Sequence, residues 1–295
     1  MVHDMCRIFS VTECQIRSRH NIFTSSSSSF CTAVRPGYHP GTEDKYKMTA
    51  HPRGKALLIN NKMFEGGWEP REGSEGDVCL LEGLFRDLDF VVQKRENLTR
   101  QELEDELKGV SCEDHSRYDC FVMFIMSHGL SGAVVCSDGN RMPIQELRDT
   151  ICECKTLRDK PKIFFIMACR GTLQDESISV ASAGKGSLCD VDYPPDSSNQ
   201  QATNTPTQAD CLVVFSTVDR YVSYRLTRSG GSIFVRCFVE AFRERVSSDD
   251  LDDILKKVNS KVSKYEVTNT KGKDDPRLFK QVPEVTYTLL KKLYL

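Results

Sequence analysis

Two reactive side chains each follow a run of apolar residues of the kind that forms a buried strand. His128 comes one residue after the run FVMFIM at 121–126, and Cys169 directly follows the run IFFIMA at 163–168. A thiol needs a neighbouring base to become a nucleophilic thiolate at neutral pH, and an imidazole is the usual base. The pair therefore predicts a cysteine nucleophile assisted by a histidine.

Each of the two residues, taken alone, has a second interpretation. A single cysteine after an apolar strand is more often a packed structural thiol, and a single histidine in a loop is more often a polar surface residue. Gly129 favours the chemical interpretation, because a residue without a side chain lets the backbone approach a bound substrate. Its N–H and the N–H of Cys169 are predicted to face a developing oxyanion.

The sequence around these residues alternates predicted strands and helices. Apolar runs predict strands at 55–60, 90–93, 119–126, 162–168 and 211–216, with 283–290 returning as an edge strand. Helices are predicted at 78–88 behind a capping pattern from Ser74 to Asp77, from Thr99 and Glu102 through Leu107, and at 143–151, 232–246 and 249–264. The alternation predicts an α/β fold with a mostly parallel central sheet flanked by helices. Ligands of such sheets bind at the carboxyl ends of the strands, where His128 and Cys169 lie.

Two segments break this alternation. Residues 1–48 contain five consecutive serines at 25–29 and predict a short flexible leader. A mitochondrial address is the alternative interpretation of the leader, and Asp4 and Glu13 argue against it. Residues 172–209 are rich in Ser, Asp, Pro, Asn, Gln and Thr, which predicts an exposed stretch that is either a functional loop or a site meant to be cut.

Composition excludes several classes of protein. The 40 basic and 42 acidic residues give a net charge of −2, so we expect neither nucleic acid nor a membrane as a partner. The first twenty residues lack the apolar core of a signal peptide. Thirteen cysteines, an odd count without disulfide-framework spacing, indicate a reducing compartment, and we expect a cytoplasmic protein. Cys152 and Cys154 have no companion pair with zinc-ligand spacing, so we expect no metal and no other cofactor.

Seven short segments stand out along the chain: SHG at 127–129, ACRG at 168–171, INN at 59–61, REGSEGD at 71–77, YVSYR at 221–225 and the closing KQVPEV and LLKKLYL. Together they resemble the caspase family of cysteine-aspartic proteases. The resemblance covers about residues 45–295 and is greatest to the effector caspases. It implies the caspase-like α/β sandwich, with a large subunit at 49–176, an intersubunit linker at 177–209 and a small subunit at 210–295.

The resemblance also implies protein substrates that are cleaved after aspartate. Arg71 and Arg225 match the two arginines that bind the P1 aspartate in this family, and a guanidinium fork suits a carboxylate better than lysine does. The resemblance places Val222 and Tyr224 in the S2 subsite. It also implies that the backbones of Ser223 and Arg225 pair with the substrate as an added strand.

Three positions depart from the family pattern. Met167 stands where the family usually has a glutamine that helps hold the P1 carboxylate, and loss of one charge-assisted hydrogen bond costs roughly 1.5 to 3 kcal/mol, or about 10- to 150-fold in rate. Leu226 replaces a common asparagine, and Ile233 replaces a common tryptophan. We therefore expect an active but weakened enzyme with a more apolar P4 preference.

The family pattern further implies a zymogen that an upstream protease activates by cleavage after aspartate. Candidate cleavage sites are Asp190, Asp192 and Asp196 in the linker and Asp44 in the leader. The product is expected to be a homodimer of large and small chains with its two-fold interface in 211–295, acting in apoptosis.

Two other functions remain open at this stage. A catalytically feeble homologue that acts as a regulatory dimer partner or decoy is motivated by Met167. A metacaspase-like protease that cuts after basic residues is the other alternative, and Arg71 and Arg225 argue against it because they would repel a basic P1 side chain.

Overall fold

Twelve β-strands and five α-helices make up the described residues of the computed structural model, which are 45–176, 208–225, 231–268 and 278–295. The strands are β1 (Gly54–Asn60), β2 (Phe90–Glu96), β3 (Cys120–Met126), β4 (Gly129–Leu130), β5 (Ala133–Val135), β6 (Arg141–Pro143), β7 (Lys162–Met167), β8 (Asp175–Glu176), β9 (Cys211–Phe215), β10 (Val267–Thr268), β11 (Leu278–Lys280) and β12 (Glu284–Tyr287). The helices are α1 (Ser74–Asp87), α2 (Arg100–Cys112), α3 (Ile144–Cys152), α4 (Ile233–Arg245) and α5 (Leu251–Val262).

Several sequence predictions concern residues outside the described ranges. These are the candidate cleavage sites Asp44, Asp190, Asp192 and Asp196, the subsite residue Leu226, most of the leader and most of the linker.

The central sheet has six strands in the order β12-β9-β7-β3-β1-β2. All neighbours pair in parallel except β12, which pairs antiparallel with β9 at one edge. Every residue of β1, β3 and β7 is buried, as expected for central parallel strands that helices cover on both faces. The predicted α/β sandwich with a mostly parallel sheet is confirmed.

Helices cover the two faces of the sheet in separate layers. One layer contains α1, α4 and α5, and the other contains α2 and α3. Successive strand residues alternate between the layers: Ala56 and Leu58 pack with the first layer, whereas Leu57 and Ile59 pack with the second. This period of two is the pleat of a strand that is buried on both sides.

The helix starts agree with the sequence prediction in one case and differ in another. Thr99 caps α2 in a capping box with Glu102, as predicted. The predicted cap at Ser74 is wrong: Gly73, at φ 77°, is the N-cap of α1, and Ser74 is the first helical residue. The hydroxyl of Ser74 instead accepts a hydrogen bond from the Asn60 amide at 3.0 Å.

Two small sheets were not predicted from the sequence. The strands β4, β5 and β6 form one antiparallel sheet directly after β3, and β8, β11 and β10 form the other. The sheet formed by β4, β5 and β6 begins at Gly129, the residue after His128, and therefore restrains the loop that carries His128. In the described part of the chain, no helix is long and apolar enough to cross a bilayer.

Candidate active site

The register between β3 and β7 brings His128 and Cys169 to the same edge of the sheet. Met126 and Met167 are paired partners at the ends of these adjacent parallel strands. His128 and Cys169 each lie two residues beyond those ends and therefore emerge side by side. The cleft at this edge is lined by Arg71, Ser127, His128, Met167, Ala168, Cys169, Ser223, Tyr224, Arg225 and Ser232.

Gly129 allows the two loops to touch. A Cβ atom at position 129 would lie 2.5 Å from the carbonyl oxygen of Cys169 and 2.7 Å from the Cβ of Ala168. No side chain fits in that space, so the histidine loop approaches the cysteine loop only because residue 129 is glycine. The backbones of Gly129 and Cys169, predicted to form the oxyanion site, are thus adjacent.

The His128 ring is oriented by a backbone oxygen. Its Nε2 atom lies 2.7 Å from the carbonyl oxygen of Glu69, and a carbonyl only accepts hydrogen bonds. Nε2 therefore carries the proton, and Nδ1 of the neutral ring is left as the proton acceptor. This tautomer is the one that a base for a thiol requires.

Two aromatic side chains hold the same ring from its faces. Trp68 stacks on His128 with ring centroids 5.3 Å apart and planes inclined by 30°, and Phe64 packs at 4.7 Å with planes inclined by 52°. Together with the Glu69 carbonyl they restrict rotation of the imidazole. Trp68 is the single tryptophan of the chain.

The Cys169 thiol contacts the backbone of Ser223. The N–H of Ser223 points at Sγ across 3.4 Å, and the Ser223 carbonyl oxygen lies 3.8 Å from the same sulfur. An N–H that donates to sulfur stabilises a thiolate more than a thiol. The segment predicted to pair with substrate therefore lies directly beside the nucleophile.

Arg71 is buried at the end of β1 and faces the cleft. Its side chain donates to the Asn60 side-chain oxygen at 3.1 Å and to the Asn61 carbonyl at 2.7 Å, while only 2% of the residue is exposed. Both of these acceptors are neutral, so they do not neutralise the positive charge of the guanidinium. Arg225 reaches the cleft from the other side of the linker and donates to the Glu72 carbonyl at 3.0 Å.

A buried carboxylate lies behind the two arginines. Asp77 accepts from the Ser232 N–H at 2.8 and 3.1 Å, and Gly231, at φ 109°, passes so close that a Cβ would lie 2.6 Å from an Asp77 oxygen. Burial raises the pKa of Asp77, while the Ser232 N–H and the charges of Arg225 and Arg71 act in the opposite direction. Asp77 thereby joins α1 to the start of α4 beneath the cleft.

Gln281 fixes the segment that contacts the sulfur. Its side-chain oxygen accepts from the Tyr224 N–H at 2.8 Å, and its amide donates to the Ser216 carbonyl at 2.6 Å and to the Ser223 hydroxyl at 3.3 Å. Only 2% of Gln281 is exposed. A buried amide with all these partners holds its neighbours in one arrangement.

The remaining predicted site residues divide between the cleft and the core. Met167 and Tyr224 line the cleft, although both are mostly buried. Val222 and Ile233 pack in the core layer of α1, α4 and α5 and are not among the residues that line the described cleft. Their predicted roles in substrate subsites stay predictions.

The sequence analysis gave no individual site role to five residues: Trp68, Glu69, Asn60, Asp77 and Gln281. Asn60, Asp77 and Gln281 lie within motifs that carried the resemblance, whereas Glu69 acts through its backbone oxygen, which has no signature in the sequence. Asn60 gave a usable signal of its own, because two consecutive asparagines at the end of a fully buried strand need hydrogen-bond partners and so mark a loop junction. Among the described residues, no group of three or more His, Cys, Asp or Glu side chains is arranged to hold a metal ion.

A thiol, an imidazole and two guanidinium groups line one cleft at the carboxyl edge of a parallel sheet, and this set of groups matches the chemistry of a cysteine peptidase. Residues 53–294 match the caspase domain family. The chain belongs to the caspase family.

Curated relatives agree with the family match. The chain is 35% identical to caspase-7 of Gallus gallus over 257 residues, which cover 85% of the chain and 79% of the relative. It is 33% identical to caspase-8 of Mus musculus over 268 residues, 86% of the chain and 53% of the relative, and 31% identical to caspase-3 of Bos taurus over 257 residues, 85% and 88%. The chain thus spans about half the length of the caspase-8 relative.

Proposed function

We propose that this chain is an active effector-like cysteine endopeptidase that cleaves protein substrates after aspartate. The observation that carries the proposal is the position of Arg71 and Arg225 in the same cleft as Cys169 and His128. The lining of this cleft contains both guanidinium groups and no carboxylate, since Asp77 and Glu75, which interact with these arginines, are not among the lining residues. A positively charged lining suits an anionic P1 side chain.

The chemistry follows from the geometry of the cleft. Nδ1 of His128 takes the proton of the Cys169 thiol, and the thiolate attacks the P1 carbonyl carbon. The N–H groups of Gly129 and Cys169 are proposed to stabilise the oxyanion. His128 then returns the proton to the leaving amine, and water hydrolyses the thioester to release the P1 carboxylate and regenerate the thiol.

A peptide series that differs only at P1 tests the proposal. Fluorogenic tetrapeptides with P1 Asp, Asn or Lys are offered to purified protein that has been cut in the linker, and Cys169→Ala serves as the control. Turnover of the Asp peptide alone, lost in Cys169→Ala, is the expected result. Turnover of the Lys peptide would contradict the role of Arg71 and Arg225.

The decoy function is the second candidate, and Met167 is the observation that favours it. The Met167 side chain lines the cleft but its thioether cannot donate a hydrogen bond to a carboxylate. No turnover of any aspartyl peptide by the cut protein, combined with binding to an active caspase, would support the decoy.

We also propose that the chain is a zymogen activated in its linker, at Asp190, Asp192 or Asp196, with Asp44 releasing the leader. The cleft combines residues from both sides of the linker. The Arg170 N–H donates to the Tyr221 carbonyl at 2.9 Å, and the Leu173 N–H donates to the Arg220 carbonyl at 3.0 Å. A cut between these paired segments would free chain ends that lead directly into the site. Sequencing the new N-terminus of the small chain after incubation with an active caspase identifies the site used.

The cellular setting is proposed from the same resemblance. It comprises the cytoplasm, activation by an upstream protease, homodimers of large and small chains, and a role in apoptosis. The apolar P4 preference belongs here too, and a tetrapeptide library with varied P4 tests it. A strong demand for P4 aspartate would refute it.

A further inference from the structure

Two cysteines lie against each other at the end of the sheet opposite to the cleft. Cys152 is the last residue of α3, and Cys211 is the first residue of β9. Their sulfur atoms are 3.0 Å apart, although the residues are 59 positions apart in the chain. Cys211 pairs with Lys162, the first residue of β7, whereas Cys169 follows the last residue of that strand. The pair is therefore remote from the catalytic thiol.

The surroundings of Cys211 hold the two sulfurs together. The Cys211 N–H donates to the Thr288 hydroxyl at 3.3 Å, and its carbonyl accepts from the Thr288 N–H at 2.7 Å. Gln208 donates to the Asp149 carboxylate on α3 at 3.1 Å, which fixes the start of this segment to the helix of Cys152. The sulfurs are 3.0 Å apart, so they need to approach by only about 1 Å to reach the length of a disulfide bond.

The electrostatic environment favours a thiolate at this pair. The hydrogen bond from Cys152, together with the charges of Lys162 and Arg148, lowers the pKa of Cys211. The same hydrogen bond, with burial, raises the pKa of Cys152, so Cys211 is the first of the two sulfurs to lose its proton. Cys152 is partly exposed and can meet a small reagent, whereas Cys211 is buried.

We propose that Cys152 and Cys211 form a dithiol oxidation site whose oxidant is a low-molecular-weight disulfide such as oxidised glutathione. Cys152, the more exposed of the two, passes its proton to the adjacent Cys211 sulfur, and the resulting Cys152 thiolate attacks one glutathione sulfur and releases the first glutathione thiolate. Cys211 gives that proton to the released glutathione thiolate, and its own thiolate then attacks the Cys152 sulfur and releases the second glutathione thiolate, which takes up a proton from water. Two protein thiols lose two electrons and two protons, and one glutathione disulfide becomes two glutathione thiols.

A disulfide between Cys152 and Cys211 would span the linker, because the two cysteines lie on opposite sides of it in the sequence. Cys152 precedes the predicted linker at 177–209, and Cys211 follows it. If the chain is cut there, which rests on the proposed function, the disulfide joins the large and small chains covalently. In a reducing compartment the pair stays a dithiol, and the joint forms only as the glutathione pool becomes oxidised.

The test uses the full chain with Cys169→Ala and a recognition sequence for an unrelated, sequence-specific protease placed within 177–207. The protein is equilibrated with oxidised or reduced glutathione, its remaining thiols are alkylated, and the linker is cut. After oxidation we expect one band on a denaturing gel without reductant and two bands with it. Two bands without reductant after oxidation would overturn the proposal.

Matched variants identify the sulfurs. Cys152→Ser and Cys211→Ser should each abolish the joined band. Cys154→Ser should retain it, because Cys154 lies two residues from Cys152 but its sulfur contacts the Thr156 hydroxyl at 3.3 Å. A joined band that persists in Cys152→Ser would contradict the assignment.

Peptide mapping of the Cys169→Ala chain, with its own linker uncut, gives a second measurement that needs no substitution at Cys152 or Cys211. Unreduced tryptic peptides of the oxidised chain should contain a linked pair that joins 149–155 to 186–220, with fragmentation assigning the bond to Cys152 and Cys211. Glutathione attached to Cys152 without that link would overturn the proposal. Because Cys169 is absent and another protease makes the cut, neither result depends on whether the chain is an aspartate-specific peptidase.

Discussion

Met167 lines the same cleft as Cys169, the proposed nucleophile, so a change of this one side chain alters the groups offered to a substrate. The residue is only 4% exposed, so a hydrogen bond formed at its side chain would meet little competition from water. A glutamine of similar length places an amide donor where the thioether lies. We expect Met167→Gln to raise kcat/KM for a P1 Asp peptide by about 10- to 150-fold, because a charge-assisted hydrogen bond contributes roughly 1.5 to 3 kcal/mol.

The control for this change is Met167→Leu, which matches the volume without adding a donor. Its kcat/KM should stay within a few-fold of wild type. An equal gain in both variants would show that packing, and not hydrogen bonding, limits the rate.

Trp68 stacks on His128, and we predict that it acts on the proposed reaction through this ring, as a positioning residue. Its stacking contact and the Glu69 carbonyl hold one ring orientation, and small misplacements of a catalytic group reduce rates steeply. We expect Trp68→Ala to lower kcat by roughly 10- to 100-fold with little change in KM. Trp68→Phe should restore most of the loss, because a phenyl ring can still stack.

Fluorescence provides a readout of this contact that a merely structural role would not move. Trp68 is the single tryptophan, so the emission of the chain reports on the environment of His128. His128→Leu should change the emission intensity while the melting temperature stays near that of wild type. A Trp68→Ala variant that changes KM and leaves kcat intact would contradict the positioning role.

Helix α1 and helix α4 pack in one core layer, and the buried carboxylate of Asp77 adds a hydrogen bond to the start of α4 that makes their junction sensitive to pH. Burial raises the pKa of Asp77 above its ordinary value of 3.8. Because the folded pKa is the higher one, the folded state binds this proton more tightly than the unfolded state. The resulting contribution to stability is fully present below the unfolded pKa and is lost as the pH rises through the folded pKa.

Asp77→Asn isolates that contribution, since asparagine is uncharged at every pH and its oxygen can still accept from the Ser232 N–H. We expect the free energy of unfolding of wild type, relative to Asp77→Asn, to fall as the pH rises from about 4 to 7. Urea unfolding at both pH values measures the difference. Glu82→Gln is the opposite control, because a hydrogen bond from Lys94 lowers the pKa of Glu82 and wild type should gain stability over that range.

Among the secondary-structure elements, the sequence predicted those strands and helices that have a clear hydrophobic periodicity. The runs that became β3 and β7 are continuous and apolar, a pattern typical of strands buried on both faces, and their ends correctly located His128 and Cys169. The two-residue strands β4 and β8 are too short to show any period. The cap at Ser74 was wrong because Ser74 and Asp77 bond to distant partners, Asn60 and Ser232, that a local pattern does not reveal.

The residues that hold the candidate site in place could not be predicted from the sequence, because their partners are also distant in the chain. Gln281 reaches residues 57 to 65 positions away, and Asp77 reaches Ser232 across 155 positions. Contacts between residues so far apart in the chain depend on how the helix and sheet layers pack. Local sequence patterns do not reveal that packing. Arg71 and Arg225 were found in advance only because a family motif named them, since an arginine alone is usually a surface residue.

At the scale of the whole molecule, the central sheet ends in two edge strands within the described residues, and the two edges expose different side chains. One edge is β2, where Val91 is 42% exposed. The other is β12, where Tyr287 is 56% exposed, and Leu290 beyond the strand is 62% exposed. An unpaired strand with large apolar side chains is a template for pairing with another copy, and two copies related by a two-fold axis pair antiparallel. We propose that the homodimer forms through β12.

A lysine substitution at each edge strand in turn tests which edge, β12 or β2, forms the dimer interface. Tyr287→Lys should shift the cut protein from dimer to monomer in sedimentation equilibrium, because a buried unpaired lysine opposes close pairing of the strands. Val91→Lys, on β2, adds the same charge at the other edge and should leave the dimer intact. Monomers in wild type at micromolar concentration, or equal dissociation in both variants, would contradict an interface at β12. Gln281 connects the Ser223 segment of the cleft to the part of the chain that leads into β12. A loss of peptidase activity that parallels dissociation in Tyr287→Lys would therefore show that the cleft needs the second copy to adopt its active conformation.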